Sequence, residues 1–137
     1  MAVQLDQTTR NAVLDAVEST NGTSCCLEIR SGAQPADCAT VGSGTVLATI
    51  NLPSDWMSNA ASGSKAKLGV WQDAAADNTG TAGHFRVYRS QATKDNTTCF
   101  MQGSAGTSGT DMILDSTNFS AGQPFTVNSF TLGAGNP

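Results

Sequence analysis

The chain has 137 residues, with 11 acidic and 7 basic side chains, a formal net charge of −4, 39% hydrophobic residues and 14 glycines. That length supports one independent core, and the low charge combined with ample apolar content excludes a disordered polyelectrolyte. The cations Arg10, Arg30, Lys65, Lys67, Arg86, Arg89 and Lys94 are scattered along the sequence, so no phosphate-neutralising face and no nucleic-acid partner is expected.

The opening MAVQLDQTTR lacks the basic start and apolar centre of a secretory signal, and no apolar run reaches the roughly 18 residues of a membrane span. A protein folded in the reducing cytosol, without membrane contact, is expected. Its first element is a short helix that Asp6 or Thr8 can cap. Val13, Leu14 and Val17 form its apolar stripe, and Asn21-Gly22 ends it. Residues 1–24 thus read as an arm plus helix, and 25–137 as a β domain, in a single domain overall.

From there the pattern is short alternating runs closed by Gly, Ser, Thr, Asn or Asp clusters. Residues 26–30 place Leu27 and Ile29 on one face. Residues 45–51 place Val46, Ala48 and Ile50 on one side, and Leu52-Pro53 stops the run. In 65–72 the expected inward set is Ala66, Leu68 and Val70, with Lys65, Lys67 and Trp71 outward, the lysines as a solvated edge. In 83–90, Phe85 and Val87 oppose His84, Arg86 and Tyr88. Short strands at 97–102 and 111–115 flank the glycine-rich loop GSAGTSG. In the last run Phe125 and Val127 share one face while Phe130 and Leu132 have the opposite parity, so a bulge near Asn128-Ser129 is needed to bring all four to the core. About seven strands at this spacing predict a mainly β fold, an antiparallel β-sandwich or jelly roll with one N-terminal helix.

The chemistry-bearing residues are few. His84 is the sole imidazole, and a structural role is favoured because a catalytic base needs an oriented partner. Asp73, Asp77, Asn78 and Thr79 make an oxygen-rich loop without the spacing of a calcium loop. Asp111 and Asp115 in one strand would stand about 13 Å apart, too far for a glycosidase pair. No catalytic residue, metal or cofactor is expected. Cys25, Cys26, Cys38 and Cys99 lack C-x-x-C spacing; adjacent Cys25 and Cys26 point to opposite faces of a strand, and packed thiols are expected, with a disulfide at Cys38 or Cys99 left open for oxidising surroundings. Trp56, Trp71 and Tyr88 are the candidate partner-contact residues, with Trp71 and Tyr88 on the outward parity of their strands.

The stretch LEIRSGAQPADCATVGSGTVLATINLPSDWM, followed by TGTAGHFRVYRS and TSGTDMILDSTNFSAGQPFTVNSFTL, resembles small virion structural proteins of tailed bacteriophages and prophages, over residues 27–132. The resemblance implies a virion component assembled in the host cytoplasm, and among those a capsid decoration or cement protein: a homo-oligomer, dimer or trimer, binding the major capsid protein or other virion proteins. The alternative it leaves is a neck, tail or fibre-associated protein with a connector or receptor-binding role. The end segments MAVQLD and GAGNP are where such a subunit would add strands to a neighbour's sheet edge.

Overall fold

The computed structural model describes residues 3–135; Met1, Ala2, Asn136 and Pro137, the outermost parts of the two end segments considered for strand exchange, lie outside the described residues. Helix α1 (Gln7–Asn21) starts at Asp6, whose carboxylate accepts from Thr9 N at 2.9 Å, and closes at Gly22, whose N–H reaches Glu18 O. This is the expected helix, capped at both ends by side-chain and backbone groups that satisfy its orphan polar atoms. No helix among the described residues is long and apolar enough to cross a membrane.

Nine strands follow among the described residues: β1 (Cys26–Ser31), β2 (Val46–Asn51), β3 (Ser64–Ala66), β4 (Gln72–Asp73), β5 (Gly80–Tyr88), β6 (Cys99–Gly106), β7 (Met112–Leu114), β8 (Asn118–Phe119) and β9 (Phe125–Gly133). They join in the order β2-β1-β5-β6-β7-β9-β3, with β4 also on β9 and β8 on β5. The protein is mainly β with one helix, as expected, but the sheet is mixed, because β6 and β7 pair in parallel. Only five residues, 107–111, separate those strands. Asp111 makes that tight return possible: its Oδ2 accepts from Ser104 N at 2.8 Å and Ser104 Oγ at 2.9 Å, and its own N–H donates back to Ser104 Oγ.

The sheet curls into a half-barrel. The rings of Phe85 on β5 and Phe130 on β9 meet edge-on with centroids 5.4 Å apart, although three strand spacings, roughly 14 Å on a flat sheet, lie between those strands. The open seam between β2 and β4 is spanned by Asp73 at the end of β4 and by the loop after it. There Asp77 N donates to Leu47 O, Asn78 Nδ2 to Val46 O, and Thr49 N to Asp73 Oδ2. The concave side holds the core, including Leu27, Ile29, Ile50, Trp56, Trp71, Phe85, Val87, Phe125, Val127 and Phe130.

Two local expectations hold. Cys25 and Cys26 are both buried, with only Cys25 in the main core cluster. The β9 bulge is present: Ile113 pairs with Ser129 and Leu114 with Val127, so Asn128 is skipped and Phe125, Val127 and Phe130 are all buried, whereas Leu132, the fourth residue expected in the core, is only partly so.

Two others are corrected. In 65–72 the inside and outside are exchanged: Lys65 and Trp71 are buried, whereas Leu68 and Val70 are 40% and 65% exposed. The run is not one strand, since it turns at Gly69 with φ +76° between β3 and β4, and Lys65 goes inward because carboxylates on α1 neutralise it. Its Nζ donates to Asp15 Oδ1 at 2.8 Å, Glu18 Oε1 at 3.4 Å and Ser58 O at 2.9 Å. The GSAGTSG loop is also partly strand, because β6 runs to Gly106. A Cβ at Gly103 would sit 2.7 Å from the Phe85 ring and 2.9 Å from Asp111 Oδ2, so here the glycine marks close packing rather than a turn.

Candidate functional site

The helix docks mainly through polar side chains. Asn11, Asp15 and Glu18, at i, i+4 and i+7 on one face, accept the backbone N–H groups of Gly63, Ala60 and Met57 at 2.9, 2.9 and 2.7 Å. The bonds from Lys65 and Ala60 hold the Asp15 carboxyl below its usual range. Leu14 alone of the helix is buried, Val17 packs partly against the core, and Val13 remains 52% exposed. The apolar stripe expected to bury the helix is thus only partly used from within the chain.

The convex face carries a second, polar interior. On β1 and β5, Glu28, His84, Arg86 and Tyr88 are buried, although their parity opposes the apolar core. They are covered by the connection 32–45, pinned by donors from the sheet. Arg86 Nη1 and Nη2 reach Thr40 O at 2.9 Å and Cys38 O at 2.7 Å, Arg30 Nη1 reaches Ser43 O, and Gln102 Nε2 reaches Pro35 O. Arg30 also bonds Glu28 Oε1 at 3.1 Å. Burial together with the neighbouring Glu28 carboxylate pushes the Tyr88 phenol pKa upward. Arg86 lies over the Tyr88 ring at 6.0 Å.

The sequence candidates fall into place as follows. His84 Nδ1 sits 3.1 Å from Gly32 O, and burial, followed by Arg30 and Arg86, keeps its pKa below the ordinary value, so the ring is neutral at physiological pH. Asp73 and Asp77 spend carboxylate oxygens on Thr49, and Asp111 clamps the β6–β7 return. Trp56, Trp71 and Tyr88 are 0%, 0% and 1% exposed, which corrects the outward, solvent-facing expectation for Trp71 and Tyr88 and buries the loop residue Trp56 as well. The two indoles belong to the concave core, their N–H groups bonded to Gly22 O and Leu68 O, with ring centroids 6.4 Å apart. Tyr88 does point to the opposite face, but that face is roofed by 32–45.

What remains accessible and apolar lies elsewhere. A depression of about 360 Å³ runs between α1 and the sheet, lined by Val13, Ala16, Val17, Phe100, Met101 and Leu132. A second of about 480 Å³ adjoins it through Met101 and Leu132, and reaches Phe85 and Phe130 between β6 and β9. Arg89 stands over the Phe100 ring at 6.0 Å. The first depression forms an apolar strip, the kind of patch that protein contacts use, whereas Gln102, Thr110, Asp111 and Thr131 make the second largely polar. Sequence reasoning missed Phe100, Met101 and Leu132 as a surface; the one signal for it was the helix stripe, whose valines exceed what its own chain covers. No family model matches this chain, and neither a curated protein nor a solved structure matches it.

Proposed function

We propose that this protein is a structural component of a tailed-phage virion, a decoration or cement subunit that docks on the major capsid protein or another virion protein through the Val13–Val17–Phe100–Met101–Leu132 strip. The observation that carries this reading is the apolar strip, in which Val13 is exposed and Val17, Phe100, Met101 and Leu132 are half-buried, on a chain whose titratable interior is committed to holding its own loop. His84, Arg86, Glu28 and Tyr88 are bonded or roofed in the convex interior, and Lys65 is enclosed by Asp15 and Glu18. A non-enzymatic role suits such a distribution. The resemblance over residues 27–132 supplies the virion context, and the curled sheet is read as an opened relative of the sandwich and jelly-roll layouts of capsid proteins.

Mechanistically, each contact would be modest, but symmetry repeats it over a shell, so many small burials add to resist internal pressure. A dimer or trimer spanning the joint between capsid subunits would do this most effectively. The double variant Val13→Asp/Ala16→Asp tests the strip, because both positions are exposed and surface changes of this kind leave stability nearly unchanged. Its binding to particles stripped of this protein is expected to fall by roughly tenfold or more, since each buried carboxylate would lack a partner. Unchanged binding would remove the strip from the contact.

A further inference from the structure

Four thiols in this chain divide into two kinds. Cys25 and Cys26 are wholly buried, and their Sγ atoms are turned to carbonyls of nearby residues, those of Asn21 and Gly22 for Cys25 and that of Leu27 for Cys26. At 0% exposure neither can be reached by a disulfide reagent, and burial pushes both up to about 11. Cys38 and Cys99 differ. Cys38 lies in the 32–45 connection and is only partly buried; Cys99 opens β6 and is 7% exposed. Although 61 positions apart in sequence, they meet at one side chain, because the Arg86 guanidinium donates to the Cys38 carbonyl and to the Cys99 sulfur.

Arg86 holds that approach from both sides. Its Nη2 donates to Cys38 O at 2.7 Å and its Nε to Cys99 Sγ at 3.2 Å, while Nη1 fixes Thr40 O two residues on. The guanidinium is itself buried against Tyr88, so the loop cysteine is set over the strand cysteine by a rigid fork.

We propose that Cys38 and Cys99 form a dithiol pair that closes to a disulfide when the protein meets an oxidising small-molecule disulfide, stapling the 32–45 roof to β6. The chemistry is thiol–disulfide exchange. Cys38, the more accessible, gives up its proton to solvent and its thiolate attacks one sulfur of glutathione disulfide, breaking that S–S bond and releasing one glutathione thiolate, which is protonated. Cys99 then loses its proton beside the Arg86 guanidinium and attacks the Cys38 sulfur, expelling the second glutathione. Two protein thiols are oxidised and one glutathione disulfide is reduced to two thiols. Burial, and the Cys99 thiol beside it, push Cys38 up to about 11, so exchange is slow at neutral pH and accelerates as pH rises. The proposal does not depend on the virion reading, although release from a reducing cytosol would be the natural trigger for such a particle.

The test uses the full chain, reduced and then incubated with glutathione disulfide at pH 8. Titration under denaturing conditions should count two free thiols where the reduced protein has four, and peptide mass spectrometry should find Cys38 joined to Cys99. Closing a loop of roughly 60 residues should raise Tm by about 5–10 °C, reversibly with dithiothreitol, and Cys38→Ser should show no such rise. Four thiols remaining, a bridge involving Cys25 or Cys26, or a stable glutathione adduct on Cys38 without ring closure would each overturn the proposal.

Discussion

Replacing Arg86 with alanine is expected to lower the unfolding free energy by about 3–5 kcal/mol, read as the shift of the urea midpoint at unchanged slope. The side chain is fully buried and is the hub through which the sheet holds its roof. Truncation leaves Thr40 O and Cys38 O without their donors, removes the Cys99 contact, and strips Tyr88 of the cation on its ring. Each abandoned acceptor is part-buried and costs up to about 1–3 kcal/mol. Arg86→Lys should recover only part of the loss, because one ammonium at the end of a flexible stem cannot reach two carbonyls and a sulfur together. Against a typical total of about 5–15 kcal/mol, the alanine variant would approach global unfolding. A loss below about 1 kcal/mol would mean that the 32–45 connection is held by something other than this fork.

Trp71→Ala is the second large effect, expected to cost about 3–5 kcal/mol through lost burial and the cavity left behind. Its ring is packed between Trp56, at 6.4 Å, and Phe130, at 5.8 Å, where the curled sheet turns its far strands toward each other. Removing it takes away the filling that keeps β9 against β5. Trp71→Phe, which keeps an aromatic ring but gives up the N–H bond to Leu68 O, should lose much less. Thermal melting of the three proteins checks this. A near-silent alanine variant that instead weakened particle binding would return Trp71 to the surface role that its strand parity suggested.

Local signals in the sequence translated well into structure. Asp6, Asn21 and Gly22 marked the helix, and the change of apolar parity between Val127 and Phe130 marked the bulge at Asn128. Such features are decided by neighbours in sequence. Alternation, in contrast, says that two faces differ without saying which is covered. Lys65 is inside because Asp15 and Glu18, about 50 residues earlier, converge on it, and a long-range ion pair leaves no mark on the strand's own pattern. Tyr88 and Arg86 were rightly placed opposite Phe85 and Val87, but the connection 32–45 that buries them reads only as a turn-rich segment. The parallel β6–β7 return was equally hidden, since it depends on one clamp between Asp111 and Ser104. The proposed contact strip was half legible: Val13 and Val17 stood out as a helix stripe, while Phe100, Met101 and Leu132 reach it only through the folding of β6 and β9 beside the helix.

These displacements change what a partner would meet. With Trp56, Trp71 and Tyr88 inside, the proposed docking strip lies beside the helix, and the proposed Cys38–Cys99 bridge would act on the roofed face. Docking and stapling therefore use separate parts of the molecule.

Quantitative mass spectrometry of purified virions, giving the copy number of this protein relative to the major capsid protein, tests the virion role most directly. A decoration subunit predicts copies on the order of hundreds per particle, as shell symmetry requires. A dozen or fewer would move the protein to the neck, tail or fibre, and its absence from particles would contradict the virion assignment altogether.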